Sequence, residues 1–474
     1  MNSKFGLLLD TKKFSLEDQF LFARLSGDFN PIHIDKIFSR RTLYGQCIVH
    51  GVHASMWAID SLIKKIGVNI SSFKCKFKKP IFLEENVSCY WNDSNKKLTI
   101  AMGDIEFTSI SVDSLSALAI NINHEDFIPL PHYLKPTLPI DLAPTNCLIF
   151  EKNQEWISSG EIKLAKSLFP DFCKKYGLYF VFEISTLSKI VGMQCPGLHS
   201  LFASLNIKLI EKSEMHYFKV TNFDARFNKV DIYAQGNLIS ATIEAFFRPQ
   251  PTKSETIFQL SKLVDKNEFS HVNALIIGGS RGIGEVVSKL ICAGGGNVTF
   301  TYNVGLDDAK NLSSEIQAVG GKCSYVQFSI QSELNDISLP SSFNQIYYFA
   351  SPKILLESPT NNNESLISTY HKFYVKSFKE ICDYFSIHSP GCSIFYPSTI
   401  YIEQPALQFA SYIKAKLLGE KICNEQNLKK VIRIISNRLS RLPSDQNQSI
   451  ILEDLPDISK TMLPIIRAMS LKPV

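Results

Sequence analysis

The chain has 474 residues, a formal net charge of +5, 45% hydrophobic and 20% charged residues. That length exceeds one core, and the composition is that of a globular rather than a disordered chain. The small, dispersed charge has no Lys/Arg-rich tail, which argues against a nucleic-acid partner, while its mild positive sign suits an acidic ligand.

The opening "MNSKFGLLLDTKK" has a short apolar run without a small-residue cleavage site, so no signal peptide is expected. No window approaches 18 uninterrupted apolar residues, so no membrane span is expected either. The first 250 residues read as two unequal copies of one plan. In the first copy "IVHGVHASMWAIDSLIKKIG" is helical, and "SFKCKFKKPIF", "NVSCYWND", "KLTIAMGDI" and "FTSISV" are strands. In the second, "VFEISTLSKIVGMQ" is helical and "SLFASLNIKLIE", "HYFKVTNFD", "FNKVDIYAQG" and "NLISATIEAFFRP" are strands. One helix wrapped by an antiparallel sheet is a hot-dog arrangement, and two in tandem pair as a pseudo-dimer. The expected boundaries are 1–115, a proline-bearing connector 116–148, the second copy 149–250 and a linker 251–270 opened by "RPQPTKSET". Residues 271–474 alternate short apolar strands with helical stretches, the pattern of a parallel sheet covered on both faces. The expected fold is thus an α+β double hot-dog followed by an α/β Rossmann-type, doubly wound sheet.

Eleven scattered cysteines without a CxxC pair point to free thiols in a reducing, cytoplasmic compartment. His50 and His53 lack a completing Cys or carboxylate cluster, so no metal is expected.

In "GDFNPIH" the ring of Pro31 disfavours helix at Asn30. A turn there points Asp28 and His33 into one cavity, where a carboxylate and an imidazole can hold a water between them. His50-Gly51 stands where a helix begins. The Gly51 N–H then carries the positive end of the helix dipole and suits a thioester carbonyl oxygen. "FARLSGDFNPIHID" followed by "GQCIVHG" resembles the motif of MaoC-like, R-specific enoyl-thioester hydratases over roughly the first 110 residues. The resemblance implies Asp28 and His33 as the catalytic pair, with Asn30, His50 and Gly51 at the substrate. Some relatives carry a Ser near the position of Ile59. His53 reads as a packing residue. The second copy has no such motif, and its His199 has no acid five residues before it. It reads as a partner fold that completes the tunnel, with a second thioester site at His199 as the alternative.

"GGSRGIG" sets Gly278, Gly282 and Gly284 between a strand and a helix, where glycines let a pyrophosphate approach the helix N-terminus. Tyr412 and Lys416 stand one helical turn apart on one face. The Lys416 charge lowers the Tyr412 pKa, so that the phenol can protonate a carbonyl as hydride arrives. Together these resemble a short-chain dehydrogenase/reductase over about residues 271–474. The resemblance implies Ser398, Tyr412 and Lys416 as catalytic, with Ser398 preferred over Thr399, which remains a substrate-binding candidate. It also implies cofactor contacts from Gly278, Ser280, Arg281, Gly282, Ile283, Gly284, Tyr302, Asn303, Ala350 and Lys416. Departures are Ile277 before the first glycine, "YYFASP" at 347–352, Tyr374 in the middle helix and Ser329 in place of an acid. The strand ending "TFTYN" has no acid to hold a ribose 2′-hydroxyl, and Arg281 can meet a 2′-phosphate, which favours NADPH.

Together the two resemblances imply a bifunctional enzyme acting on acyl-coenzyme A or acyl-carrier-protein thioesters. One region reduces a 3-oxoacyl group to the (R)-3-hydroxyacyl form, and the other removes water to give the trans-2-enoyl group, or adds it. The reductase resemblance also allows a homo-oligomer. The alternatives are an active hydratase beside an inactive, cofactor-binding or scaffolding reductase region, and a hot-dog acyltransferase or thioesterase fused to a reductase.

Overall fold

The computed structural model describes residues 3–114, 136–149, 151–153, 161–211, 213, 216–330, 332, 339, 342–355, 357, 364–448 and 454–471. Much of the expected connector, residues 116–135, therefore lies outside the described residues. The chain divides into two compact units, one spanning Met1–Gln250 and the other beginning at Pro251.

The first unit holds ten strands: β1 (Leu7–Lys13), β2 (Ile70–Phe77), β3 (Asn86–Asn92), β4 (Lys97–Met102), β5 (Ile105–Ser114), β6 (Glu151–Asn153), β7 (Ser200–Leu209), β8 (Tyr217–Asp224), β9 (Lys229–Gln235) and β10 (Ile239–Phe247). They form one sheet in the order β1-β3-β4-β5-β2-β7-β10-β9-β8-β6. Read from the middle outward, the two halves are mirror copies. The seam is the antiparallel pair β2–β7, with Ser72 opposite Lys208 and Cys75 opposite Leu205. This is the double hot-dog expected from the repeated pattern.

Each half wraps its sheet around a central helix. The first helix, Gly51–Ile66, stops at Gly67, whose positive φ of 77° only glycine adopts cheaply. Every residue from Val52 to Ile63 on it is buried. A helix buried on all sides belongs inside a fold, and Ile59 sits there at the core. The second helix, Leu178–Lys189, continues as a π-helical turn over Ile190–Gln194.

The second unit holds β11 (Asn273–Ile277), β12 (Asn297–Tyr302), β13 (Lys322–Gln327), β14 (Gln345–Tyr348), β15 (Ser393–Thr399) and β16 (Arg433–Leu439), in the order β13-β12-β11-β14-β15-β16. All five pairings are parallel. This is the Rossmann-type order, whose switch point between β11 and β14 opens a crevice at the strand C-termini. One expectation is corrected here. Residues 251–270 are not a bare linker. Thr256 and Gln259 cap a short helix, Ile257–Leu260, and Ile257, Leu260, Val264 and Phe269 pack into this unit's core. Burial of four apolar side chains stabilises this stretch, which its polar opening "PTKSET" obscured. Among the described residues no helix is long and apolar enough to cross a membrane.

Candidate active sites

In the first unit the helix Leu16–Ser26 ends at Gly27, and the chain then turns through Asp28 and Asn30 into a short helix, Pro31–Ile34. Asp28 is 2% exposed. The Asn30 N–H donates to its Oδ1 at 3.1 Å, and the Ser188 hydroxyl donates to its Oδ2 at 2.7 Å. Burial outweighs both bonds and raises the Asp28 pKa to about 7. His33 Nδ1 lies 2.8 Å from the Ile48 carbonyl, which only accepts, so this nitrogen carries the proton. Burial pulls the His33 pKa down to about 4. The ring is therefore neutral near pH 7, and its Nε2 holds a lone pair.

Ligand-type atoms of Asp28, His33 and His50 all lie within 4.8 Å of one another. The sequence expectation that no carboxylate joins His50 is corrected here, because the turn through Asn30 folds Asp28 back onto His50 and His33, with His53 outside the group. This does not make four metal ligands. His50 Nδ1 lies 2.9 Å from Gln19 Oε1, and its Nε2 lies 3.1 Å from the Asp28 carbonyl. His33 Nδ1 is spent on Ile48. The His33 Nε2 and the Asp28 carboxylate remain to meet a small ligand.

Two of the expected substrate contacts are reassigned by these bonds. His50 is fully buried and stacks on His33 at a centroid distance of 3.7 Å, which makes it a brace for that ring. Asn30 is also fully buried. Its Nδ2 donates to the Gly192 and Gly197 carbonyls at 2.8 and 3.1 Å, and its Oδ1 accepts from Ile32 N–H, so the side chain is a strut. Gly51 does open the central helix, and the His50 side chain makes no cap bond there, leaving the first-turn N–H groups unblocked by a cap. His53 packs as expected, stacked on Phe22 at 4.7 Å. His199 sits 3.4 Å from Asp141 rather than beside a buried acid.

The second half reaches directly into this site. Besides Ser188, it supplies Gly192, where a Cβ would stand 2.2 Å from Asp28 Oδ1. Only glycine allows the carboxylate to lie against the end of that helix.

In the second unit the helix Gly282–Ala293 follows β11 through the Gly-rich turn. Gly278 has φ 81°, and a Cβ on Gly284 would meet the Gly278 carbonyl at 2.4 Å. Arg281, Ser280 and Ile283 lie on this turn and the first helical turn. The Thr301 hydroxyl accepts from Gly278 N–H at 3.0 Å and ties the turn to β12. Tyr302 ends β12 with its ring against Tyr325, Asn303 follows it, and Ala350 N lies 3.0 Å from the place a Cβ on Gly278 would take. This cradle has the backbone approach and the open helix start that a dinucleotide pyrophosphate needs. Arg281, however, is ion-paired: its Nη1 lies 3.0 Å from Asp445 Oδ2.

Tyr412 and Lys416 lie on the helix Ala410–Lys429 and are both buried. Two expectations are corrected. Ser398 does not face Tyr412: its hydroxyl donates to Glu420 at 2.6 Å. Thr399 is the hydroxyl that bears on the Tyr412 phenol and works to lower its pKa. Both residues meet this helix, Ser398 at Glu420 and Thr399 about two turns earlier at Tyr412. Nor does Lys416 lower the Tyr412 pKa. Burial raises it, and the Lys416 ammonium is spent on the Pro397 carbonyl at 2.6 Å, 5.8 Å from the Tyr412 ring centroid. Burial likewise pulls Lys416 down to about 7. Tyr374 fills the space beside it, with its ring 4.0 Å from the ammonium and its hydroxyl 2.6 Å from Ser351.

Residues 8–112 match the family model described as "MaoC like domain". The N-terminal region carries a MaoC-like domain. The 3-hydroxyacyl-thioester dehydratase Y of Mycobacterium tuberculosis is 38% identical over 77 residues, 15% of this chain and 27% of that protein. The (R)-specific enoyl-CoA hydratase of Aeromonas caviae is 32% identical over 81 residues, 16% of this chain and 60% of that protein. The chain thus spans less than two thirds of either relative. Among solved structures, a short-chain dehydrogenase from Burkholderia cenocepacia in complex with NADP is 14% identical. That match covers 44% of this chain and 93% of that one, with a TM-score of 0.39. A short-chain dehydrogenase/reductase from Serratia marcescens is 20% identical, covering 37% and 76%, with a TM-score of 0.34.

The MaoC-like domain leans on residues that no local pattern announces. Ser188 and Gly192 come from the other half of the sheet, about 160 positions after Asp28. The nearest signal in the sequence is that a Ser and a Gly fall in the second of two matching helices.

Proposed function

We propose that the MaoC-like domain hydrates trans-2-enoyl thioesters to (R)-3-hydroxyacyl thioesters and runs the reverse dehydration. What carries the reading is the neutral His33 lone pair beside a buried Asp28 carboxylate, next to the start of a central helix. Water gives one hydrogen bond to each. Asp28 takes the proton as the water oxygen bonds to C3, and the C2=C3 electron pair moves toward the carbonyl. The Gly51 N–H steadies the resulting enolate oxygen, and Asp28 returns its proton to C2. Assay of the purified chain with crotonyl thioesters tests this.

The proton leaves and returns through the same carboxyl group, so hydration starts from ionised Asp28. Hydration therefore rises with pH around a midpoint near 7, the Asp28 value, and His33, at about 4, adds no limb near neutrality. The Ser188 bond lowers the Asp28 pKa. Ser188→Ala is expected to move the midpoint to higher pH. A rate that falls through pH 7 assigns Asp28 the opposite role.

For the second unit we propose an NADPH-dependent reduction of 3-oxoacyl thioesters to the substrate of the first. The bound cofactor supplies hydride to the carbonyl carbon. Tyr412, oriented by Thr399, gives its phenolic proton to the carbonyl oxygen. Gly278, Gly282 and Gly284 admit the pyrophosphate, and Arg281 meets the 2′-phosphate once it leaves Asp445. This pair is partly exposed, so its opening costs little, on the order of 1 kcal/mol or less. Asp445→Asn is expected to tighten NADPH binding about two- to fivefold and leave NADH unchanged, while Arg281→Ala weakens NADPH alone. Fluorescence titration of both cofactors reads this, and an unchanged ratio in both variants removes Arg281 from cofactor choice.

A second reading has its own support. Lys416 is bonded to Pro397 and covered by Tyr374, an arrangement suited to a second unit that binds cofactor without turning over. Wild-type protein that oxidises no NADPH with 3-oxoacyl thioesters favours it.

A further inference from the structure

Arg248 follows β10 and is 2% exposed, yet its Nε and Nη1 donors have no hydrogen-bond partner among the described residues. Its Nη2 donates to the Leu198 carbonyl at 2.8 Å. The same carbonyl lies 3.4 Å from Asn30 Nδ2, which ties the guanidinium to the turn that carries Asp28 and His33. Its backbone N–H donates to the His199 carbonyl at 2.7 Å, and the guanidinium stands 5.6 Å over the Phe38 ring. No carboxylate pairs with it among the described residues. Asp141 is engaged with His199. The charge is felt at the site, since Arg248 is among the groups that lower the pKa of His33 and of His199.

A cation taken out of water without a counter-charge is costly, and one with unused donors gains most from an oxyanion. Its contacts with the Phe38 ring and the Leu198 carbonyl supply no negative charge to offset its own. We propose that Arg248 is an anion-recognition residue of the first unit's site, and that the ligand bound there presents an oxyanion to its Nε and Nη1 groups. The position of the ligand rests on the hydratase reading. The need for an anion rests on Arg248 itself. The oxyanion has two sources, a carboxylate on the acyl chain or a phosphate on the thioester arm.

Calorimetric titration of the full chain with three saturated thioesters separates them. Butyryl-N-acetylcysteamine carries no anion, glutaryl-N-acetylcysteamine carries a carboxylate, and butyryl-coenzyme A carries phosphates. At least one anionic probe is expected to bind wild type tenfold or more tightly than the neutral one. Arg248→Gln should erase that gap without weakening the neutral probe, and Arg248→Lys should keep part of it. A gap with the glutaryl probe assigns the carboxylate, and one with butyryl-coenzyme A alone assigns the phosphate. Equal affinity of wild type for all three probes, no binding of any, or an equal loss for all three in Arg248→Gln overturns the proposal. If Arg248→Gln does not fold, the wild-type comparison and Arg248→Lys decide. A wild type that binds an anionic probe yet hydrates no enoyl thioester sinks the hydratase reading and leaves the anion site standing.

Discussion

Asp28→Asn and His33→Ala each lower crotonyl-thioester hydration by at least about 100-fold, the usual scale for losing a general acid–base group. The reasons differ. In Asp28→Asn the side-chain amide oxygen can still accept from Ser188 or the Asn30 N–H, so the turn survives, but an amide cannot take the water proton. His33→Ala leaves the carboxylate in place and removes the lone pair that orients the water. Both variants keep their core, because neither side chain belongs to the apolar cluster of the first unit. Initial rates followed by loss of the enoyl-thioester absorbance, with circular dichroism for fold, are the measurement. Wild-type rates in both variants would falsify the assignment of this pair.

Tyr412→Phe abolishes NADPH oxidation with an acetoacetyl thioester and leaves hydration at its wild-type rate. The phenol is the proton source in this reading, and the phenyl ring keeps its packing against Tyr370 and Tyr374. Thr399→Val follows it with a loss of about 100-fold, while Ser398→Ala stays within about threefold, because Thr399 is the hydroxyl that bears on the phenol and Ser398 is bonded to Glu420. The reverse order, with Ser398→Ala the damaging change, would restore Ser398 to the site. Loss of both activities in a folded Tyr412→Phe protein would mean one composite site.

The repeated helix-and-strands plan and the alternating second unit were legible because both rest on short-range periodicity. The turn that brings Asp28 beside His33 was legible from Pro31, and their pairing in function was implied by the resemblance. What failed was anything decided by distant pairing. Ser398 and Thr399 are adjacent and chemically alike, and only the turn of the helix that each one meets separates them. Asn30 and His50 have the right chemistry to touch substrate, but their polar atoms are engaged by Gly192, Gly197, Gln19 and Asp28 itself, and no spacing rule reveals that. Residues 251–270 begin like a linker, and their four anchoring apolar side chains count only once a core is there to receive them.

The mirrored sheet has a consequence for dosage. The partner surface that touches Asp28 is tethered to it, so its effective concentration is fixed by the chain and not by how much protein is present. A site shared between two separate copies loses its second half on dilution, whereas this one keeps Ser188 and Gly192 at any concentration. Hydration per chain should therefore stay constant from micromolar protein down to the lowest level an assay can read, and one half can drift in sequence while the other stays bound to its chemistry.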